Sequence, residues 1–326
     1  MKIARWVDGA DLGEGFVIDD RVVPFPSGLR VSQVLAQGLP AAHRLFERAA
    51  GDSGTPLESV RLLPPLEPAS IRDFVAFEEH VEGVSAGVEG KSHVAPEWYE
   101  APTFYFTNPH TVLGPGDVVS PPVTSRLDFE LELAVVVGGV DGSDGRDLDA
   151  DAAREHIFGY TIMNDWSARD LQAREMKVRL GPAKGKDFGT SLGPWIVTAD
   201  ELERFVDDEG FLAIRAEVYV NDELIGADLV SNAGWPFPEF VAYASRNSRV
   251  VPGDVLGSGT VGNGGCLGEL WGRNGELTPP PLQPGDIVRM SIEGIGDLVG
   301  AVAPMVELPP VPRARKRPRH RIRPLP

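Results

Sequence analysis

The chain of 326 residues has a single cysteine, Cys266. No intrachain disulfide can form, which excludes a disulfide-stapled fold and fits a reducing compartment, so a cytoplasmic protein is expected. Long apolar runs are lacking too. The longest, around Leu133 to Val140, falls far short of the ~20 residues that a membrane helix needs. The opening residues Met1-Lys2-Ile3-Ala4-Arg5 hold neither an apolar core nor a small-residue cleavage site, so no signal peptide is expected. Positive charge is scarce: the formal net charge is −17, and the stretch Leu308 to Pro326 concentrates seven Lys and Arg with no acid. The body ahead of it is more acidic still. Such a body repels nucleic acid and anionic membrane, and it has carboxylates to spare for gathering round a cation. The six histidines form no His-x-x-x-His pair and there is no paired Cys/His spacing, which argues against zinc.

Gly (37) and Pro (29) are abundant, about a fifth of the chain. That favours turns and short strands over a helical bundle. Three Pro-Gly-Asp turns, at Pro115, Pro252 and Pro284, each precede an apolar run, with Pro setting the first central residue of a type II turn and Gly the second. Residues 1–65 read as a small N-terminal α/β module: strands at Ile3–Val7, Gly15–Ile18 and Arg21–Phe25, then helical spacing from Leu29 to Ala50 interrupted near Gly38. A proline-rich hinge at Leu63–Pro68 separates it from a second module over 66–307. There strands are predicted at Asp128–Val137, Phe158–Met163, Trp195–Thr198, Leu212–Val220 and Ile287–Ile292, and helices at Ile71–Val81, Ser167–Met176 and Pro238–Ser245. Strands outnumber helices, which predicts an α+β fold on a β-rich core. Residues 308–326 are a Pro/Arg-rich tail without apolar periodicity, expected to be disordered.

Chemistry concentrates in a few segments. In Leu127-Asp128-Phe129-Glu130-Leu131-Glu132-Leu133, acids alternate with apolar residues, so a strand would set Asp128, Glu130 and Glu132 on one face. Such a row is either a solvated outer face or the lining of a cation site. A second predicted strand ends at Asn164-Asp165, followed by a helix with Ser167 as its N-cap. Two Glu and that Asp would supply three hard oxygen donors suited to Mg²⁺ or Mn²⁺. On the following helix, Arg169 and Gln172 share a face and could hold a carboxylate, or Arg169 could simply pair with Asp170 or Glu175. Lys186 lies in a glycine-flanked loop, the usual setting of an exposed lysine. Asp73 and His80 would share one face of the helix predicted over Ile71–Val81. Gly257-Ser258-Gly259-Thr260-Val261-Gly262 matches a dinucleotide fingerprint, but no helix start is read after it; Cys266 reads as an apolar filler.

These segments together resemble the fumarylacetoacetate hydrolase family. The resemblance lies in the run from Met163 to Thr190, in LDFELELAVVVGG (127–139), RDFVAFEEH (72–80) and GSGTVGNGG…GEL (257–270), and it spans about residues 65–305. It implies a mixed β-roll catalytic domain, a homodimer, and a bound Mg²⁺, Mn²⁺ or Ca²⁺. By position, Glu130, Glu132 and Asp165 match the metal carboxylates and Asp73 a fourth acid. His80 matches a general base on a lid segment, and Glu269 the acid that orients it. Lys186, Gly189 and Thr190 match the loop beside the metal, and Arg169, Gln172, Thr260 and Tyr105 match substrate contacts. Val75 and Met176 stand where the namesake enzyme has tyrosines. The implied reaction is hydrolysis of a C–C bond in a small 2-oxo or 2,4-dioxo acid (an acylpyruvate or a fumarylacetoacetate-like compound), with decarboxylation, isomerisation or hydration of an oxaloacetate-like acid as the alternative. A catalytically silent binding protein is the reading from a different class.

Overall fold

The computed structural model describes residues 1–89 and 92–317. Its centre is the strand Leu131–Val137. Leu133, Val135 and Val137 point into one core and Ala134 and Val136 into another, so this near-continuous apolar run is buried on both faces. It pairs antiparallel with Ile157–Asp165, which pairs antiparallel with Thr190–Thr198; on its other side it meets Val255–Gly257, then Ile71–Phe74 and Phe104–Thr107. A second sheet, built from Arg215–Val220, Glu223–Leu229, Ile287–Ile292, Gly296–Val302 and Val118–Val119, covers one face. The helix Phe237–Ser245 adds Phe237, Phe240 and Val241 to the core on that side.

The N-terminal strands Lys2–Asp8, Asp11–Ile18 and Arg21–Pro24 form the expected meander, but they extend the main sheet, because Lys2 and Ile3 pair with Val197 and Ile196 of Thr190–Thr198. Helices Val31–Gln37 and Leu39–Ala49, split at Gly38 (φ +78°), press Val34, Leu35 and Ala42 onto the second core. The three Pro-Gly-Asp turns form as read. Gly116, Gly253 and Gly285 have φ between +78° and +95°. In each turn the Asp closes the loop by accepting the backbone N–H three residues earlier (Gly114, Val251 and Gln283).

The structure corrects two element predictions. Ile71–Val81 is not one helix. Ile71–Phe74 is a strand held between Val255–Gly257 and Phe104–Thr107, and the helix begins at Glu78. Pairing on both edges overrides the helical spacing of Phe74, Phe77 and Val81. The strand read over Asp128–Val137 is broken at Phe129–Glu130, leaving Leu127–Asp128 paired with Ser167–Ala168. Residues 308–317 carry no helix or strand and are exposed, and 318–326 lie outside the described residues. Among the described residues, no helix is long and apolar enough to cross a membrane.

Candidate active site

Three neighbouring strand ends and one loop deliver acids to a single buried place. Asp73 comes from Ile71–Phe74, Glu130 from the break just before Leu131–Val137, Glu132 from the start of that strand, and Asp165 from the end of Ile157–Asp165. All four are at most 4% exposed. Carboxylate oxygens of Asp73, Glu130 and Glu132 lie within 4.8 Å of one another. Lys186 Nζ bridges Glu130 Oε2 (2.5 Å) and Asp165 Oδ2 (2.6 Å), and the Tyr105 hydroxyl donates to the same Asp165 oxygen at 2.5 Å. Lys186 is therefore no surface lysine: it is 3% exposed.

Electrostatics separates these acids. Burial pushes the Asp73 and Glu132 carboxyls well up, and the charge of Asp165 on Asp73 and of Asp73 on Glu132 adds to it. Burial also raises Asp165, against the pull of Lys186. Glu130 moves the other way, because Lys186 and Arg169 outweigh its burial. Lys186 is desolvated as well, but Asp165 and Glu130 hold it above its ordinary range and so protonated.

Arg169 closes one side. Its Nη1 lies 2.7 Å from Glu130 Oε1 and 3.2 Å from Gln172 Oε1, its Nε lies 2.7 Å from Asp128, and Nη2 is buried without a partner. The pairing with Asp170 or Glu175 does not occur: Asp170 accepts from Thr124 and Ser125, and Glu175 from the backbone of 183–185. Asp128 does not share a face with Glu130 and Glu132. The break at Phe129–Glu130 turns it toward the backbone N–H groups of Leu267 and Gly268, at 2.7 and 2.8 Å. Those N–H groups open a helix, Leu267–Asn274, that the sequence reading missed after the glycine-rich run; its free donors are taken by Asp128 and by Cys266 Sγ, which accepts from Glu269 N–H. No phosphate cradle is left. Nor does Ser167 cap the helix Arg169–Met176, since its hydroxyl donates to the Asp165 carbonyl within the turn.

The other side of the site is helical. Asp73 and His80 lie on different elements, so their shared helix face does not exist, yet both come close to Glu130. His80 rides on Glu78–Glu89, which packs on Leu267–Asn274 where Gly83 meets Glu269: a Cβ at Gly83 would lie 2.4 Å from Glu269 Cγ. The segment leading into that helix is pinned by Trp98, whose indole donates to the Val75 carbonyl at 2.6 Å and rests 4.9 Å from the Trp235 ring. His80 Nδ1 stands 4.0 Å from Glu269 Oε2 and 3.6 Å from Cys266 Sγ, a contact that sequence spacing could not reveal. Burial lowers His80 to about 4, leaving a neutral imidazole near neutral pH, and burial raises Glu269 to about 7 against the pull of Arg273. Arg273 Nη2 grips Glu269 Oε1 at 2.7 Å. Thr260 is buried in the glycine-rich loop that adjoins both halves, and Thr190 Oγ1 is buried without a partner beside the Lys186 loop.

A divalent cation fits the carboxylate half. Asp73 Oδ1, Glu132 Oε1 and Asp165 Oδ1 are buried with no hydrogen-bond partner, an arrangement costly for carboxylates unless a cation shares them. Behind them the backbone packs closely at Gly257, where a Cβ would lie 2.5 Å from Met163 Cε, 2.6 Å from Glu132 Oε2 and 3.1 Å from Asp73 Oδ1. The donors are hard oxygens of the kind that hold Mg²⁺, Mn²⁺ or Ca²⁺. Sequence reasoning set Asp128 in the acid row and Gly257 in a dinucleotide-like fingerprint, missing the role of each, and passed over Arg273. The signal for Asp128 was its place at the head of the acid alternation; Gly257 and Arg273 carry none without the fold.

Comparison with known proteins places this arrangement. Residues 69–303 match the family model described as Fumarylacetoacetate (FAA) hydrolase C-terminal. A fumarylacetoacetase of Arabidopsis thaliana is 31% identical over 286 residues, 72% of this chain and 67% of the relative. The oxaloacetate tautomerase YisK of Bacillus subtilis is 35% identical over 208 residues, 61% of this chain and 60% of the relative. The maleylpyruvate hydrolase of Sphingobium sp. SYK-6, solved with manganese(II) and pyruvate, shares the fold with a TM-score of 0.67 at 21% identity, covering 93% of this chain and 99% of that one. The chain belongs to the fumarylacetoacetate hydrolase family.

Proposed function

We propose that the protein is a divalent-metal-dependent hydrolase that cleaves a C–C bond in a small 2-oxo or 2,4-dioxo acid. The observation that carries this is the meeting of four buried acids, three with an orphaned oxygen, with a buried histidine, His80, whose ring lies close to Glu130. A cation held by Asp73, Glu130, Glu132 and Asp165 would supply Lewis-acid polarisation of the 2-oxo group. Arg169 offers its free Nη2, backed by Gln172, to the substrate carboxylate. His80, neutral and with Nδ1 turned to Glu269, takes a proton from water at Nε2 as the water oxygen bonds to the distal carbonyl carbon, and gives it to the enolate carbon released when the C–C bond breaks. Glu269 stabilises the imidazolium that results. Lys186 stays protonated and places positive charge beside the developing enolate. Val75 and Met176 offer no phenolic hydrogen bond, which favours a short substrate over a long diketo acid.

A second reading rests on the tautomerase relative at 35% identity. Tautomerisation or decarboxylation of a 2-oxo acid uses the same carboxylate half and needs no attacking water. A panel of acylpyruvates and oxaloacetate, assayed with Mg²⁺ and after chelation, decides. Hydrolysis that survives chelation, or survives a Glu130→Ala/Glu132→Ala double variant, would overturn the proposal; turnover of oxaloacetate alone would select the second reading. The working form in this proposal is a cytoplasmic homodimer, and light scattering of the active protein checks the dimer.

A further inference from the structure

We infer that the helical half of the buried cluster holds a second cation site, selective for thiophilic ions of the Zn²⁺ class and formed by Cys266, His80 and Glu130. A ring nitrogen of His80, Cys266 Sγ and a Glu130 oxygen lie within 4.8 Å of one another, and all three residues are buried. The Sγ–Nδ1 separation is 3.6 Å. Zinc bonds of about 2.3 Å to sulfur and about 2.0 Å to nitrogen, at a tetrahedral angle, span about 3.5 Å, so neither side chain has to move. The sulfur is fixed by its role as N-cap of Leu267–Asn274, where it accepts from Glu269 N–H. The hard acids Asp73 and Glu132 meet Glu130 as well, so Glu130 is the shared corner of an all-oxygen set and a sulfur–nitrogen–oxygen set. Softness of the ligands separates the two. Glu130 is already gripped by Arg169 and Lys186, and an ion taking one of its oxygens must displace one of them. Binding sends the thiol proton to solvent, as Zn²⁺ replaces it on Sγ. The ion would also tie His80, on one helix, to the start of another. Inhibition follows if His80 is the base, and that consequence alone rests on the proposed function.

The test uses the full chain with excess Mg²⁺ and Co²⁺ as a spectroscopic probe. A thiolate-to-cobalt charge-transfer band is expected, and with one cysteine in the chain it has one possible source. Cys266→Ser keeps an N-capping oxygen and should abolish the band. His80→Gln should weaken cobalt binding by at least the ~10–100-fold typical of losing a partner one shell further out. Zn²⁺ should inhibit turnover of whichever 2-oxo acid the chain accepts, and Cys266→Ser should need at least about tenfold more Zn²⁺ for the same inhibition. No band in the wild-type chain, or a band of equal affinity in His80→Gln, overturns the site. So does equal zinc inhibition of Cys266→Ser. A band without zinc inhibition supports the site and counts against His80 as the base, so the two failures are distinguishable.

Discussion

The two halves of the site are built differently. The carboxylate half stands on strand ends inside a sheet whose two faces are covered, and its groups are tied by direct contacts: Lys186 to two acids, Tyr105 to one, Arg169 to Asp128 and Glu130. The helical half hangs on two packed helices, and its functional pair, His80 and Glu269, stands 4.0 Å apart, beyond hydrogen-bond reach. The first half is fixed but short of positive charge. The second is charge-balanced through Arg273 but has a gap to close. In the proposed mechanism the sheet would hold the ligand, and closing the 4.0 Å gap would fall to the helix pair.

Breaking the sheet half should cost most. Chelation, or Glu132→Ala, is expected to remove turnover of any 2-oxo acid, a loss of about 4 kcal/mol in transition-state stabilisation or roughly 10³-fold at least. Activity within tenfold of wild type in Glu132→Ala would erase the distinction between the halves. His80→Ala should cost hydrolysis about 10²–10³-fold while leaving cation affinity intact. Isothermal titration with Mg²⁺ beside the kinetic assay reads both quantities, and a parallel loss of affinity would show that the halves are not separable.

Much of the sheet half could be read from the sequence. The alternation at 127–133 and the acid at the end of Ile157–Asp165 sit on local periodicity, which the fold largely keeps. The helical half could not be read that way. Cys266, His80 and Glu269 have no common period: two lie on a helix that the glycine-rich run concealed, and the third on one whose predicted start was displaced by sheet pairing. Lys186 shows the same limit within the sheet half. Its glycines suggest a loop, which it is, but only its contacts with Glu130 and Asp165 reveal that the loop folds inward. Lys184, two residues away, stays at the surface with Asp187. Local pattern encodes the element, and long-range pairing decides which side chain turns in.

Two glycines allow a finer cut, one methyl group behind each half. Gly257→Ala would press on Glu132 Oε2 and Asp73 Oδ1, and is expected to weaken Mg²⁺ binding about 10–100-fold. Gly83→Ala would press on Glu269 Cγ at 2.4 Å and on its carbonyl at 3.2 Å. In a free helix the change from Gly to Ala is worth about 1 kcal/mol of stabilisation. Here it should instead lower kcat about tenfold, with Mg²⁺ affinity unmoved, because it displaces the partner of His80. Exchange of the two signatures would refute the division of labour.

The mildest test works through charge alone. Glu269 is raised to about 7 by burial, while Arg273, with lesser help from the Gly264 and Asn263 N–H groups and against Asp228, draws it down. If ionised Glu269 orients His80, kcat/KM rises through a limb near pH 7. Arg273→Gln removes the counter-charge, so the carboxyl holds its proton longer and the limb should move alkaline by about one unit, a few-fold loss at pH 7 with kcat at high pH preserved. Stability carries the matching sign. A carboxyl whose folded pKa lies above its unfolded one disfavours the folded state as pH rises from the ordinary carboxylate range to about 7, and adds nothing further beyond it. The variant should therefore extend that decline to higher pH in a thermal melt series. Arg273 touches neither the carboxylate cluster nor, by this account, the substrate, so a limb that stays where it was would locate the titration elsewhere and detach Glu269 from the proton-transfer half.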